Sequence, residues 1–547
     1  MPDKVVHCGR PNNMRLSRGT ILSLALALAL PAAVVTEAAP AGATAAGSPV
    51  VRTDKGAVQG VTRDRVDSYL GIRYARAPVG PLRWQPPRPP APWTGVVPAT
   101  SYGNRCAQPL RYNAQLSLTE DCLFLNVQRP ARARTNERGA NDRLPVYLYI
   151  HGGGLNNGSS NLHDGTTIVQ QTGVIVVTIN YRLGVMGWLG LPALTAAQGE
   201  SGNYGLMDQL AALTWVHRNI AAFGGDPDRV TIGGESSGAF SVCALLTAPK
   251  AAGLFSGAIM QSGYCDTETQ SDAHYWGDAL ATQVGCVVPA QQLACLRASS
   301  PQTLLDGWDA LGTPTSAVNG TPTLPLDPRA AVALGKVSHV PLLIGSNRDE
   351  GRYFSLDQVG QDEAGYDAWL QNNLSSSAEA AAVKALYPWP ATSDQFTAAY
   401  LAGAILTDGL LGSLGGCPYR DLENDFARKV TTFVYEFDHR TGPGPSPQPA
   451  GYQWGASHTA ELPYLWPSFD AGTPIAPTFD AAERQLSRQM IAYWGAFVKN
   501  GRPAVDGQPR WPALNDTQRL LALRAGKTST LIRSTDFAKQ HNCTFWG

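Results

Sequence analysis

The sequence predicts an α/β protein: one large, mostly parallel central sheet with helices on both faces. Three observations carry this: apolar runs without alternation, helix-period stretches between them, and a glycine-flanked serine where one run breaks into a helix. Val146-Tyr-Leu-Tyr-Ile150 and Val174-Ile-Val-Val-Thr-Ile179 lack the in–out alternation of half-exposed strands, so both are expected to be buried on two faces. Leu206 to Ala222 has helical period, with Leu206, Leu210, Leu213 and Val216 on one face. Val230-Thr-Ile232, Gly257-Ala-Ile-Met260, Val340-Pro-Leu-Leu-Ile344 and Thr432-Phe-Val-Tyr-Glu-Phe437 supply further core strands. Strands alternating with helices over this length require parallel crossovers. Short strands Val50–Thr53, Gly56–Gly60 and Tyr69–Ile72 come first, and the Pro-rich stretch 78–98 is expected to hold no regular structure. Helical insertions are expected near 265–335 and 355–425.

With 547 residues, 44% hydrophobic and only 16% charged, the chain can bury a large core. Lys plus Arg equals Asp plus Glu, 43 each, and no basic run breaks the balance. Nucleic acid and anionic membrane surfaces are therefore poor partners. At the N-terminus Arg15 and Arg18 precede an apolar run, Ile21–Val35, and then small residues with Ala-x-Ala options between Ala39 and Ala46. That order reads as a signal peptide over residues 1–46, with Met14 as an alternative start. The run is too short to span a membrane, so no stable membrane insertion is expected. Export places the cysteines in an oxidising compartment, where Cys106, Cys122, Cys286, Cys295, Cys417 and Cys543 suggest three disulfides. Cys243 and Cys265 sit in apolar surroundings, and Cys243 reads as a small buried hydrophobe.

The chemistry centres on Ser236 in Gly234-Glu-Ser-Ser-Gly238. A serine at the tip of a strand-to-helix turn projects its Oγ above the sheet, and a Cβ two positions to either side would collide with neighbouring backbone. A serine nucleophile needs a base, an orienting acid and an oxyanion hole. His151-Gly-Gly-Gly154 follows a buried strand, so its backbone N–H groups can meet a tetrahedral oxyanion, and the N–H of Ser237 supplies another donor. Among the histidines the contest lies between His439 and His458, which spacing does not separate. Glu350 and Asp349 compete as the acid in Gly345-Ser-Asn-Arg-Asp-Glu-Gly351, just past a strand end. The order serine, acid, histidine is the one expected on an α/β-hydrolase sheet.

Taken together, Tyr69-Leu-Gly-Ile-Arg-Tyr-Ala-Arg-Ala-Pro-Val-Gly80, Glu120-Asp-Cys-Leu-Phe-Leu-Asn-Val127, His151-Gly-Gly-Gly154, Asn180-Tyr-Arg-Leu-Gly184, Gly202-Asn-Tyr-Gly-Leu-Met-Asp-Gln209, Ala222-Phe-Gly-Gly-Asp-Pro227 and Gly234-Glu-Ser-Ser-Gly238 resemble the type B carboxylesterases. That family includes carboxylesterases, cholinesterases and some fungal lipases, and the resemblance runs from about residue 50 to the C-terminus. It implies the α/β-hydrolase fold, with Ser236 as nucleophile, Glu350 as acid and His458 as base. It also implies Gly153, Gly154 and Ser237 as oxyanion donors, with Glu235 and Ser262 close behind the reacting groups. The implied pairs are Cys106–Cys122, Cys286–Cys295 and Cys417–Cys543. Leu155, Ser237 and Arg73 depart from the family's usual aromatic, alanine and proline. The Cys106–Cys122 loop has no tryptophan, which argues against choline esters.

The resulting expectation is a single catalytic domain over 47–547, secreted to the extracellular or periplasmic space, that hydrolyses carboxylic esters through an acyl-enzyme. Its substrate partner is a small-molecule ester, and the reaction requires no metal or organic cofactor. The alternatives are a lipase or polyester hydrolase working at interfaces and a non-catalytic binding member of the fold. Pocket walls are expected from the loops around 265–276, 310–330 and 400–415, and Tyr264, Trp276 and Trp454 fit a lining role and a packing role equally.

Overall fold

The computed structural model describes residues 48–110, 115–131, 143–312, 315–412, 414–446, 448–469, 474–526 and 529–547. The signal-peptide reading falls on 1–46, outside the described residues. The described chain divides into two compact units, one built on Asp357–Ala402 and the other on Gly47–Leu356 with Gly403–Gly547.

The larger unit holds an 11-stranded sheet. In chain order its strands are β1 (Val61–Arg63), β2 (Val66–Arg73), β3 (Phe124–Pro130), β4 (Leu144–Ile150), β5 (Ile175–Ile179), β6 (Gly225–Glu235), β7 (Gly257–Gln261), β8 (Leu342–Asn347), β9 (Thr432–Phe437), β10 (Arg519–Leu523) and β11 (Thr530–Arg533). Their spatial order is β11-β10-β9-β8-β7-β6-β4-β5-β3-β2-β1. From β10 to β5 every pairing is parallel, and antiparallel strands flank this block on both sides. The sheet is mostly parallel, as the strand–helix alternation predicts, and of the α/β-hydrolase kind that the family resemblance implies.

Burial explains why the central runs lack alternation. Every residue of β4, β5, β7, β8 and β9 is buried, because helices cover both faces. The pleat then sends neighbouring residues into different cores. Val146, Leu148, Ile150, Ile344 and Val434 pack in one cluster, beneath helices α1 (Tyr204–Asn219) and α2 (Ser237–Thr247). Tyr147, Tyr149, Leu343, Phe433 and Tyr435 pack in the other, against Leu486, Met490, Trp494 and Phe497 of α3 (Ala481–Asn500). Helix α3 starts at a capping box, in which Asp480 and Glu483 satisfy each other's backbone N–H groups, and it ends at Gly501 in the left-handed region, φ 66°. A buried fork from Arg182 to Asp208 (Nε to Oδ2 2.7 Å, Nη2 to Oδ1 2.8 Å) ties the loop after β5 to α1. It accounts for the Arg and Asp in two of the sequence motifs.

The smaller unit is helical. Glu363–Asn373 and Ser377–Leu386 are capped by the side chains of Asp362 and Ser376, and they bury Tyr366, Leu370, Ala380 and Val383. The Tyr366 hydroxyl donates to Tyr387 O at 2.9 Å.

Two expectations need correction. The Pro-rich stretch is not wholly irregular: Gly80–Leu82 forms a single 3₁₀ turn, and Val96–Pro98 pairs in parallel with Ala57–Gln59. Pro98 is tolerated because it ends the strand, and Ala99 takes up the next bond to Gln59 O at 2.7 Å. Nor is Cys243 a free hydrophobe. Besides Cys106–Cys122, Cys286–Cys295 and Cys417–Cys543, a fourth disulfide joins Cys243 to Cys265 with a Cα separation of 5.5 Å. The loop leaving β7 runs back over α2, which brings an apparently isolated cysteine against its partner. Among the described residues no helix is long and apolar enough to cross a membrane.

Candidate active site

Strand β6 ends at Glu235 and α2 begins at Ser237, so Ser236 forms the whole turn between them. Its backbone sits at φ 54°, ψ −128°, a region that side-chain-bearing residues rarely occupy. The flanking glycines make the turn possible. A Cβ on Gly234 would lie 2.5 Å from Gly238 O, and one on Gly238 would lie 2.1 Å from Ile150 O. The Ser236 N–H donates to Gln261 O at 2.9 Å, which fixes the turn to β7.

His458 and Glu350 meet Ser236 from two other strand ends. His458 Nε2 lies 3.0 Å from Ser236 Oγ, and its Nδ1 lies 2.7 Å from Glu350 Oε2. The second oxygen of Glu350 accepts the Asn347 N–H at 2.7 Å, so the carboxylate is aimed by the end of its own strand, β8. The rings of Phe354 and Tyr353 flank the imidazole at 5.1 and 5.8 Å.

The alternatives left open by spacing are accounted for elsewhere. His439 is bound to Glu483 of α3 at 3.2 Å, and it is absent from the cavity that holds Ser236. Asp349 accepts a fork from Arg440 (2.8 and 2.7 Å) and the Ala456 N–H at 3.0 Å. Desolvation works against its charge, but these bonds outweigh it and hold the carboxyl below its ordinary range. Asp349 thus fastens the loop that carries His458 to the loop that carries Glu350.

Gly153 and Gly154 adopt φ 109° and 63° in the turn after β4. Their N–H groups and that of Ser237 have no protein acceptor among the described residues. Free donors beside a serine Oγ are what a developing oxyanion requires. Glu235 is buried, and its Oε1 lies 3.4 Å from His458 Nε2 without making a hydrogen bond. Glu461 accepts from Gln261 Nε2 at 3.1 Å and from Asn347 Nδ2 at 2.7 Å. Ser262 follows β7, with its N–H on Gly345 O at 2.8 Å, and its hydroxyl has no hydrogen-bond partner among the described residues.

A cavity of about 490 Å³ opens onto these groups. Its walls come from the glycine turn and from Phe240, Phe354, Leu414, Leu462, Phe469 and His163. Tyr264, Trp276 and Trp454 do not line it. Tyr264 instead lies under the Arg329 guanidinium at 4.7 Å, and Trp454 packs on Tyr452. Sequence reasoning missed His163, which sits on a polar stretch yet is buried among Tyr149, Trp466 and Phe469. Nothing in its neighbours' periodicity marks it. Burial drives its pKa down to about 3, so it stays neutral.

Electrostatics centre on one imidazole among three buried glutamates. Burial pushes His458 down, but the charges of Glu235, Glu350 and Glu461 outweigh it and lift the ring to about 9. Burial likewise raises Glu235 well above the ordinary carboxylate range, with further help from Glu461 and Glu350. Ionised, Glu235 is the largest raising influence on His458, so Glu235→Gln, which fixes this side chain in an uncharged form, lowers the imidazole pKa. The neutral, proton-accepting ring then persists to lower pH. The acid limb of kcat/KM should therefore move down the pH scale. A limb that stays in place in the pH–rate profile would show that Glu235 does not act on this histidine.

Among the described residues no group of three or more His, Cys, Asp or Glu side chains has metal-holding geometry. A sequence model described as the carboxylesterase family matches residues 47–546. The para-nitrobenzyl esterase of Bacillus subtilis (strain 168) is 36% identical over 488 residues, covering 86% of this chain and 93% of its own. Cocaine esterase of Homo sapiens is 33% identical over 489 residues, covering 84% and 83%. Among solved structures, a PNB esterase superposes with a TM-score of 0.73 at 33% identity, covering 90% of this chain and all of its own. A thermophilic PNB esterase gives 0.75 at 32%, with the same coverage.

Proposed function

This chain belongs to the carboxylesterase family and is a carboxylic-ester hydrolase, and we propose that it works as a serine enzyme through Ser236, His458 and Glu350. The observation that carries the reading is the unbroken line from Ser236 Oγ through the imidazole to Glu350, with contacts of 3.0 and 2.7 Å. His458 Nε2 takes the Ser236 proton as Oγ attacks the ester carbonyl. The N–H groups of Gly153, Gly154 and Ser237 hold the tetrahedral oxyanion. Glu350 keeps the Nδ1 proton in place and balances the imidazolium. As the C–O bond breaks, His458 returns its proton to the departing alcohol and leaves an acyl-Ser236. Water then attacks that ester, gives its proton to the same nitrogen, and the acid departs with Ser236 restored.

The leader-like order of residues 1–46 and the four disulfides support export from the cell. The apolar walls of the cavity favour neutral, hydrophobic acyl or alcohol groups.

The test is hydrolysis of p-nitrophenyl esters from acetate to palmitate, paired with labelling by a fluorophosphonate probe. Turnover of short acyl chains, with covalent label on Ser236, is the expected result. A preference for palmitate that rises above the solubility limit would mean a lipase. Neither label nor turnover from the folded protein would sink the catalytic reading.

A further inference from the structure

We propose that the hydroxyl of Ser237, in addition to its N–H, positions the oxyanion hole; this rests on the serine-esterase reading above. The glycine turn does not hold its shape by conformational preference. Gly153, Gly154 and Leu155 all lie at positive φ, and Leu155, at 58°, carries a side chain there. Its shape must come from hydrogen bonds. At one end the Gln108 amide brackets Gly158, accepting its N–H at 2.9 Å and donating to its carbonyl at 3.0 Å. Within the turn, the Asn156 and Asn157 N–H groups share Gly153 O at 3.1 and 3.0 Å. Leu155 O accepts the Gly184 N–H at 2.7 Å. Asn156 Nδ2 donates to Gly154 O at 3.1 Å, and a further bond runs from the Leu155 N–H to Ser237 Oγ at 3.0 Å, with both of the latter residues buried.

Of these bonds, only the last reaches the element that bears the nucleophile. It joins the turn carrying the Gly153 and Gly154 donors directly to the first residue of α2. Beyond the β4–β6 pairing that ends at Ile150 and Gly234, this side chain is what holds those two donors at their distance from the third, the Ser237 N–H. Ser237 is a positioning residue in this respect: its hydroxyl does not meet the substrate, but it fixes groups that do. The surroundings offer no slack, since the Tyr181 hydroxyl donates to His151 O at 2.7 Å and its ring stacks on His151 at 4.5 Å.

Ser237→Ala leaves the backbone donor in place and removes the acceptor. The Leu155 N–H is then buried without a partner, and it finds relief by turning the Gly154–Leu155 peptide. Gly153 and Gly154 have no Cβ to resist that turn, so their N–H groups leave the position of the oxyanion. Deleting one oxyanion donor outright costs ~10²–10³-fold in kcat, so displacing donors that remain present should cost ~10–10²-fold. KM should change by less than about threefold, because the ester carbonyl makes weaker use of the hole than the tetrahedral state does.

The deciding measurement compares wild type, Ser237→Ala and Ser236→Ala in kcat, KM and affinity for an aryl trifluoromethyl ketone, whose adduct places an oxyanion in the hole. The proposal expects Ser237→Ala to lose ketone affinity and kcat/KM by the same factor, with KM nearly unchanged. Normal kcat, or a fall in kcat with ketone affinity intact, would overturn it. If Ser237→Ala is normal while Ser236→Ala is inactive, only this inference fails. If Ser236→Ala keeps wild-type turnover, the serine mechanism fails with it.

Discussion

Ser236→Ala should lower kcat by about 10⁶-fold while leaving a folded protein with nearly unchanged substrate affinity. The size follows from the way the three side chains act as one unit. In the proposed mechanism, removing Oγ takes away the atom that forms the acyl bond, and what remains is water attack assisted by the N–H groups of Gly153, Gly154 and Ser237. Structurally the change is mild, because it deletes one oxygen whose contact is His458 Nε2 at 3.0 Å. Turnover within tenfold of wild type, measured on a short-chain p-nitrophenyl ester with the mutant protein repurified, would remove Ser236 from the mechanism.

Glu350→Gln should cost about 10⁴-fold in kcat, the size expected when the orienting acid becomes an amide and the imidazole takes the wrong tautomer. Here the contact is short, 2.7 Å from Glu350 Oε2 to His458 Nδ1. A glutamine NH₂ turned toward Nδ1 would demand a lone pair there and send the ring proton to Nε2, the atom that has to receive the serine proton. The neighbouring Asp349→Asn provides the contrast. Its carboxylate holds Arg440 and the Ala456 N–H and makes no hydrogen bond to the imidazole. Its loss should loosen the His458 loop and lower kcat by less than about 10²-fold. A larger loss in Asp349→Asn than in Glu350→Gln would reverse the assignment of the acid.

How much of this was legible depended on whether a property is local. Burial on two faces leaves its mark residue by residue, so β4, β5 and β9 could be read from their unbroken apolar runs. The elbow was equally legible, because Gly234 and Gly238 answer to backbone contacts within a few residues or on the adjacent strand. The histidine and the acid were not. His439 and His458 each follow a core strand, and only the path of the chain between them decides which one meets Ser236. Asp349 and Glu350 are adjacent acids on one loop, and their different duties depend on Arg440 and His458, each some hundred residues further on. Of the expected cavity walls only 400–415 contributes, through Leu414, and the rest were missed for the same reason. Phe354 and Phe469 belong to loops without periodicity, whereas the tryptophans singled out from the sequence were packing residues. The Cys243–Cys265 bond is likewise a product of chain path, joining a helix to a loop whose proximity no spacing rule reveals.

The backbone at Ser236 also has a consequence for how such a protein can be improved. Its conformation, φ 54° and ψ −128°, lies where only glycine rests without strain, at a cost of order 1–3 kcal/mol for other residues. A glycine there would relax the turn and remove the proposed nucleophile, so selection for folding alone would discard it. Screens that reward thermal resistance therefore need an activity gate, and gains in robustness have to be sought away from this turn.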